Sequence, residues 1–225
     1  MYALSTYISH KAPTLNAHMD KPYHHGNLRT ALLEAAHARL SEVGEADLSL
    51  RDLAARVGVS VNASYRHFAN KDALLMELSA MGFDTLRARM LEAIDEIRPL
   101  GPEHHLQAAG QAYTAFARQD PGLYKLMFGR RGRFGAQARL LEAANAAFDV
   151  VINCVAALRG ASPDSAEAVK AAAGVWSMVH GYAMLDIGGY LAGMAEQKRP
   201  TAAEVLRLLA ALPLLAALMA RGLGL

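Results

Sequence analysis

Residues 50 to 68, Leu50-Arg-Asp-Leu-Ala-Ala-Arg-Val-Gly-Val-Ser-Val-Asn-Ala-Ser-Tyr-Arg-His-Phe68, constrain the fold more than any other stretch of the chain. Leu50, Leu53, Ala54 and Val57 recur at i, i+3, i+4 and i+7, which is one face of a helix. Gly58 follows at once, where a helix ends best on a residue free to take positive φ. Ser60 offers an oxygen that can cap a second short helix, and that helix carries Asn62, Ser64, Tyr65, Arg66 and His67. Two short helices joined by a tight turn, the second dense in hydrogen-bonding groups, make the layout of a helix-turn-helix. In that motif the second helix enters the major groove of DNA.

The rest of the chain reads as helix. Of 225 residues 53% are hydrophobic, enough for a packed core, and alanine and leucine dominate while β-branched runs are scarce. The expectation is an all-α fold: a disordered arm over residues 1–22, a three-helix head over 23–81 and a helical body over 82–225. Helix one is expected over about 25–43, with Leu28, Ala31, Leu32, Ala35, Ala36, Leu40 and Val43 as its stripe and Gly44 as its stop. Ser49-x-x-Asp52 has the spacing of a capping box. Asn70 caps a long helix running to about 97, which stops at Pro99-Leu-Gly-Pro102. Body helices are expected at about 103–118, 121–128, 134–159, 163–187 and 202–221. Ser162 would cap the fourth of these, with Pro163 in its first position, and Thr201-x-x-Glu204 would form a capping box for the last.

Charge and cysteine content exclude several classes. The net charge is +2, so the chain does not coat nucleic acid by charge alone, and DNA contact must come from a few placed groups. The single cysteine, Cys154, cannot form an internal disulfide, and nothing points to an oxidising compartment. The N-terminus lacks a signal-peptide pattern. The longest apolar stretch, Leu208 to Ala220, contains Pro213 and is too short to span a bilayer. The expectation is a soluble, cytoplasmic protein with no membrane partner. Adjacent histidines such as His24-His25 and His104-His105 point about 100° apart on a helix and make poor chelating pairs, so neither a metal nor another cofactor is expected.

Gly58-Val-Ser60, Tyr65-Arg-His-Phe68 and Asn70-Lys-Asp-Ala-Leu-Leu75 resemble the DNA-binding domain of tetracycline-repressor-like regulators, with the likeness running from about Tyr23 to Met81. Two positions depart from the common pattern: Asn62 stands where glycine is frequent and Ser64 where leucine is frequent, which removes an apolar plug behind the second helix. The resemblance implies phosphate contacts from Tyr65, His67 and Lys71, with Arg66 among them. A phenol, an imidazole and an ammonium at a helix end can all donate to phosphate oxygens. Ser49 and Arg51, at the start of the first motif helix, could reach the same backbone. Base reading would fall to Ser60, Val61, Asn62 and Ser64, since asparagine pairs with adenine and valine can touch a thymine methyl. Phe68 is expected to pack in the core, and Tyr65 to pack its ring with the hydroxyl outward. Tyr23 to Gly26 would lie near the DNA backbone. Family members often begin close to Met19, so Met19 is expected to be the native start.

In the body, Trp176-Ser-Met-Val-His180-Gly181 resembles the Trp-x-x-x-His-Gly signature of one C-terminal domain type in that family, and Asp120-Pro-Gly-Leu-Tyr-Lys-Leu-Met-Phe128 resembles a segment of the same subgroup. Trp176 and His180 share a helix face. They are either ordinary core or the wall and polar group of an effector pocket. The other pocket candidates are Tyr113, Phe116, Tyr124, Met127, Phe128 and Met184, with Phe148 and Met178 behind them. From Thr201 onward the last helix is apolar on nearly all sides, and Ala171 to Gly174 on the helix before it are small. The resemblance implies that these two helices pair with a second copy. Pro213 should kink the last one. The expected function is a DNA-binding transcriptional regulator, a repressor released from a pseudo-palindromic double-stranded operator by a small-molecule effector. The alternatives are an effector-independent architectural DNA-binding protein or an all-α enzyme using His180 and Asp186. No nucleophile, base and orienting group are visible together.

Overall fold

The computed structural model describes residues 28–129, 137–205 and 207–208. Among these the secondary structure is helical: α1 (Leu28–Val43), α2 (Leu50–Val57), α3 (Val61–His67), α4 (Lys71–Glu96), α5 (Pro102–Gln119), α6 (Pro121–Gly129), α7 (Ala138–Arg159) and α8 (Ala166–Ile187), then a 3₁₀ turn (Glu196–Lys198) and helical residues again at 202–205 and 207–208. The arm, Met19, Tyr23 to Gly26, and most of the expected last helix with Pro213 lie outside the described residues.

The first four helices follow from local chemistry. Ser49 and Ser60 sit in extended backbone, and their oxygens accept from the Asp52 and Ala63 N–H groups. Only half of the expected box at Ser49 forms, because the Asp52 carboxylate turns instead to Arg39 at 3.1 Å and Arg56 at 3.4 Å. Gly58 has φ of 79°, and its N–H and that of Val59 return to the last carbonyls of α2. Asn70 Oδ1 accepts from the Ala73 N–H to open α4.

In α1, Leu28, Leu32, Leu33, Ala36 and Leu40 are buried. With Leu48, Leu50, Leu53, Phe68, Leu74, Leu75 and Leu78 they form the part of the core that lies in the head. The same core continues without a break along α4 into the body, so the expected boundary at Met81 falls inside one helix. There α4 and α6 approach closely: a Cβ on Gly82 would lie 2.6 Å from Met127 Sδ and 3.2 Å from Leu123 Cγ, which only glycine avoids without a rearrangement.

α4, α5, α7 and α8 pack around one another. α7 is long and apolar enough to cross a membrane by length and composition, but over half of its apolar window is buried inside the protein, as expected of a core helix. Arg118 of α5 donates to Asp186 of α8 at 2.5 Å, and Arg139 of α7 pairs with Asp84 of α4. One expected helix start is corrected. α8 is capped by Ser165, whose oxygen accepts from the Ala168 N–H at 3.2 Å, while Pro163 and Asp164 lie in the preceding turn and the Ser162 oxygen accepts from the Asp164 N–H. Two serines three apart were both candidate caps, and the later one takes that role while the earlier one closes the preceding turn. The Thr201–Glu204 box forms in full.

Candidate functional site

The helix-turn-helix holds α3 with one side on the protein and one side open. Val61, Asn62, Tyr65, Arg66 and His67 are exposed, and Arg51 is exposed on the first turn of α2. The ring of Tyr65 is half exposed rather than packed. Arg51 and Arg66 make no ion pair among the described residues, so both charges are available to a polyanion. Arg56 is not available in this way, being engaged by Glu42 at 3.1 Å and by Asp52. Ser49 and Ser60 are exposed and accept backbone hydrogen bonds as caps, which leaves each hydroxyl proton free to donate outward.

Two expected contacts sit differently. Ser64 is fully buried, and its hydroxyl donates to the Val61 carbonyl at 2.7 Å, so it cannot read a base from that position. In a seven-residue helix a slip of one position turns a face through about 100°, and only burial fixes the phase. Lys71 Nζ donates to the Ala46 carbonyl at 2.8 Å, which ties the α1–α2 turn to the start of α4. Two of its three protons remain for other acceptors. Behind α3, Phe68 is 2% exposed with the Arg29 guanidinium 4.7 Å above its ring, and Arg29 also donates to the His67 carbonyl at 3.3 Å.

In the body, five of the eight pocket candidates converge. The Trp176 indole N–H donates to the Tyr113 hydroxyl at 3.1 Å, the Tyr113 and Tyr124 hydroxyls are 3.0 Å apart, and both lie near His180 Nδ1, at 3.0 and 2.7 Å. Phe128 packs 4.4 Å from the His180 ring and 4.9 Å from that of Tyr124. Counting donors fixes the tautomer: with Nδ1 unprotonated, the indole and two phenol protons meet three acceptors, whereas a proton on Nδ1 would leave one phenol proton unmatched. Nε2 therefore carries the ring hydrogen. Burial pushes the Tyr113 phenol up to about 12 and raises Tyr124 further, so both stay protonated. Burial also lowers the His180 pKa from its usual 6.5, which keeps the ring neutral.

His180 contributes its full stabilising effect above about pH 6.5, and the contribution falls as pH drops through the lowered folded pKa, because the unfolded chain then binds the extra proton. Replacing His180 by Asn is expected to flatten this acid limb of a plot of thermal midpoint against pH. An unchanged acid limb would place the sensitivity elsewhere.

The remaining candidates do not join this group as expected. Phe116 is buried beneath Arg89, edge-on to Tyr124, and Met127 is buried against Gly82. Met184 and Met178 are 38% and 39% exposed on α8 and belong to an outward face rather than a pocket. The expectation missed the walls of a narrow, partly enclosed cavity of about 20 Å³ between α4, α5, α7 and α8, where Tyr113 and Trp176 meet Met90, Leu106, Ala109, Gly110, Val151, Val175 and Val179. No single sequence window joins four helices, so periodicity could not have found them. Asp186 is paired with Arg118, and no hydrogen bond joins it to His180 among the described residues.

α8 presents a second open face. Val169, Met178, Met184 and Leu185 are exposed at 38 to 47%, with Ala173, Gly174 and Ser177 exposed among them. A Cβ placed on Gly174 or Gly181 would meet nothing within 4 Å.

Comparison with known proteins places these features. Residues 32–78 match the bacterial regulatory proteins of the tetR family, and residues 106–209 match the tetracyclin repressor-like C-terminal domain. The chain is 32% identical over 124 residues to the nucleoid occlusion factor SlmA of Vibrio vulnificus, a stretch covering 55% of this chain and 62% of that relative's length. Among solved structures, a protein of unknown function from Rhodococcus sp. RHA1 superposes with a TM-score of 0.70 at 33% identity, covering 85% of this chain and 95% of that one. The TetR family transcriptional regulator PfmR of Thermus thermophilus superposes with a TM-score of 0.55 at 20% identity, over 80% of this chain and 95% of that one, a likeness of fold.

Proposed function

Because the chain belongs to the tetracycline-repressor-like family and is a DNA-binding transcriptional regulator, we propose that it is a repressor whose homodimer lays α3 of each protomer in successive major grooves of a pseudo-palindromic operator and is released by a small-molecule effector. Regulators of this family dimerise and are generally non-enzymatic, and we assign no catalytic role to His180 or Asp186. The observation that carries the reading is the exposed face of α3. Asn62, Tyr65, Arg66 and His67 are exposed, as is Arg51 on the first turn of α2, and no described residue of the head buries them. Ser49 and Lys71 supply further phosphate donors, and Ser60, Val61 and Asn62 supply the base contacts. Two such helices on a two-fold dimer fit half-sites about one helical turn, roughly 34–36 Å, or a multiple apart.

The open apolar face of α8 supports dimerisation through that helix and the one following it. The clustered Trp176 and His180 support a body of the Trp-x-x-x-His-Gly type with its effector site between α5 and α8. The protein would act in the cytoplasm, in contact with DNA and with no membrane partner.

Titrating a labelled operator duplex against salt tests the docking. Arg51→Ala with Arg66→Ala is expected to weaken binding to all duplexes alike and to lower the slope of log K against log salt by about 2, one unit for each lost phosphate contact. Asn62→Ala is expected instead to cost about 1–3 kcal/mol on the cognate duplex and little on others. An Arg51/Arg66 variant with unchanged affinity and slope at matched salt would rule out this orientation on DNA.

A further inference from the structure

We propose that the body binds a small, uncharged molecule that is mainly hydrocarbon or aryl, in a cavity that opens when the Met90 side chain moves aside. This rests on the reading of the body as an effector-sensing unit. Two narrow, partly enclosed spaces of about 20 and 10 Å³ share the walls Met90, Tyr113, Val151 and Trp176. Each holds about one water, so an effector must displace a wall and fuse them.

The shared walls differ in what holds them. Tyr113 is tied to Trp176, Tyr124 and His180 by hydrogen bonds. Trp176 is bonded to Tyr113 and packed on Phe148 at 4.7 Å. Val151 is β-branched and stiff at χ1. Met90 has an unbranched chain held by packing alone, and is the wall that yields most readily.

The chemistry of the lining sets the ligand class. Among the described residues no Asp, Glu, Lys or Arg lines either space; apart from Tyr113 and Trp176 the side chains are aliphatic or phenyl. The Tyr113 hydroxyl and the indole N–H already satisfy each other. A charged ligand would lose its hydration here and gain no counter-charge, which costs several kcal/mol, whereas an apolar one replaces empty space with contact. Met90 also lies on α4, whose other end carries Leu74, Leu75 and Leu78 into the core of the head. Displacing Met90 therefore presses on the helix that holds the DNA-binding unit.

Trp176 is the single tryptophan of the chain, so its emission reports the wall directly. The full-length protein is titrated at pH 7.5 with cyclohexylmethanol, cyclohexanecarboxylate and cyclohexylmethylammonium, three probes of one skeleton and different charge. The alcohol alone is expected to change the emission saturably, with at least tenfold preference over both ions. Met90→Ala is expected to bind the alcohol several-fold more tightly, and Ala109→Leu, which fills the larger space, to abolish the response. Val179→Phe serves as the filling variant should Ala109→Leu not fold. Equal responses to the ions, no saturable response in either wild type or Met90→Ala, or a response that survives filling would overturn the inference. Operator binding followed in the same samples separates the two levels. A saturable Trp176 response with DNA binding unchanged would fault the effector-released repressor and leave the ligand assignment standing.

Discussion

Phe68→Ala is expected to lower the stability of the protein by about 3–5 kcal/mol, the usual cost of emptying a buried aromatic site. The ring is 2% exposed and follows directly on α3, in the buried core shared with residues of α1, α2 and α4. Its loss leaves a void and removes the platform beneath the Arg29 guanidinium, whose ion pair with Glu77 at 2.8 Å and bond to the His67 carbonyl tie α1 to both neighbouring helices. For a chain of this size the thermal midpoint should fall by roughly 6–20 °C. Because one core runs from the head along α4 into the body, the Trp176 emission and the far-ultraviolet circular dichroism should report the same transition. If the head melts first while Trp176 holds its native emission, the two units are energetically separate and the continuous core does not couple them. Phe68→Leu, which keeps most of the volume, should recover most of the loss.

The second large effect concerns assembly. Gly174→Arg is expected to convert the dimer to a monomer while leaving the protomer folded. A side chain at this position enters open space within the protomer, and replacing an interior helical glycine favours the helix by up to about 1 kcal/mol. The same side chain would obstruct a second α8 laid against Ala173, Gly174, Ser177 and Gly181, where small residues allow close approach, and would bury a charge among Met178, Met184 and Leu185. Losing the second recognition helix removes the gain from two-site binding, so operator affinity should fall by about 10²–10⁴. Sedimentation together with operator titration reads both consequences. A variant that sediments as a dimer and binds the operator at wild-type strength would move the interface off this face of α8.

The secondary structure was largely legible because it rests on local chemistry. Ser49, Gly58, Ser60 and Asn70 each act within a few residues of themselves, and α2, α3 and α4 begin and end where those groups allow. The Ser162–Ser165 turn shows the limit of such signals: when two serines stand within one turn of a helix start, the local pattern does not say which of them caps it. The exposed side of α3 was legible in outline through Asn62, Tyr65, Arg66 and His67. Ser64 was misplaced because a polar residue in a short helix carries no sign of its own burial. The polar cluster of the body was legible only as a set of residue types. Its bonds join positions 56 and 67 apart in the chain, a separation at which no periodic pattern operates.

The sequence alone determined the described helices, their order and the turn that sets α3 against α2, because caps, glycine and apolar spacing act over one or two turns. Tertiary structure decided which side of α3 is exposed, that Trp176, Tyr113, Tyr124 and His180 satisfy one another, that Met90 lines two narrow spaces and that α8 carries exposed apolar residues among the described ones. Those facts depend on how helices distant in the chain fill the space between them, which is a property of their joint packing and of no segment taken singly.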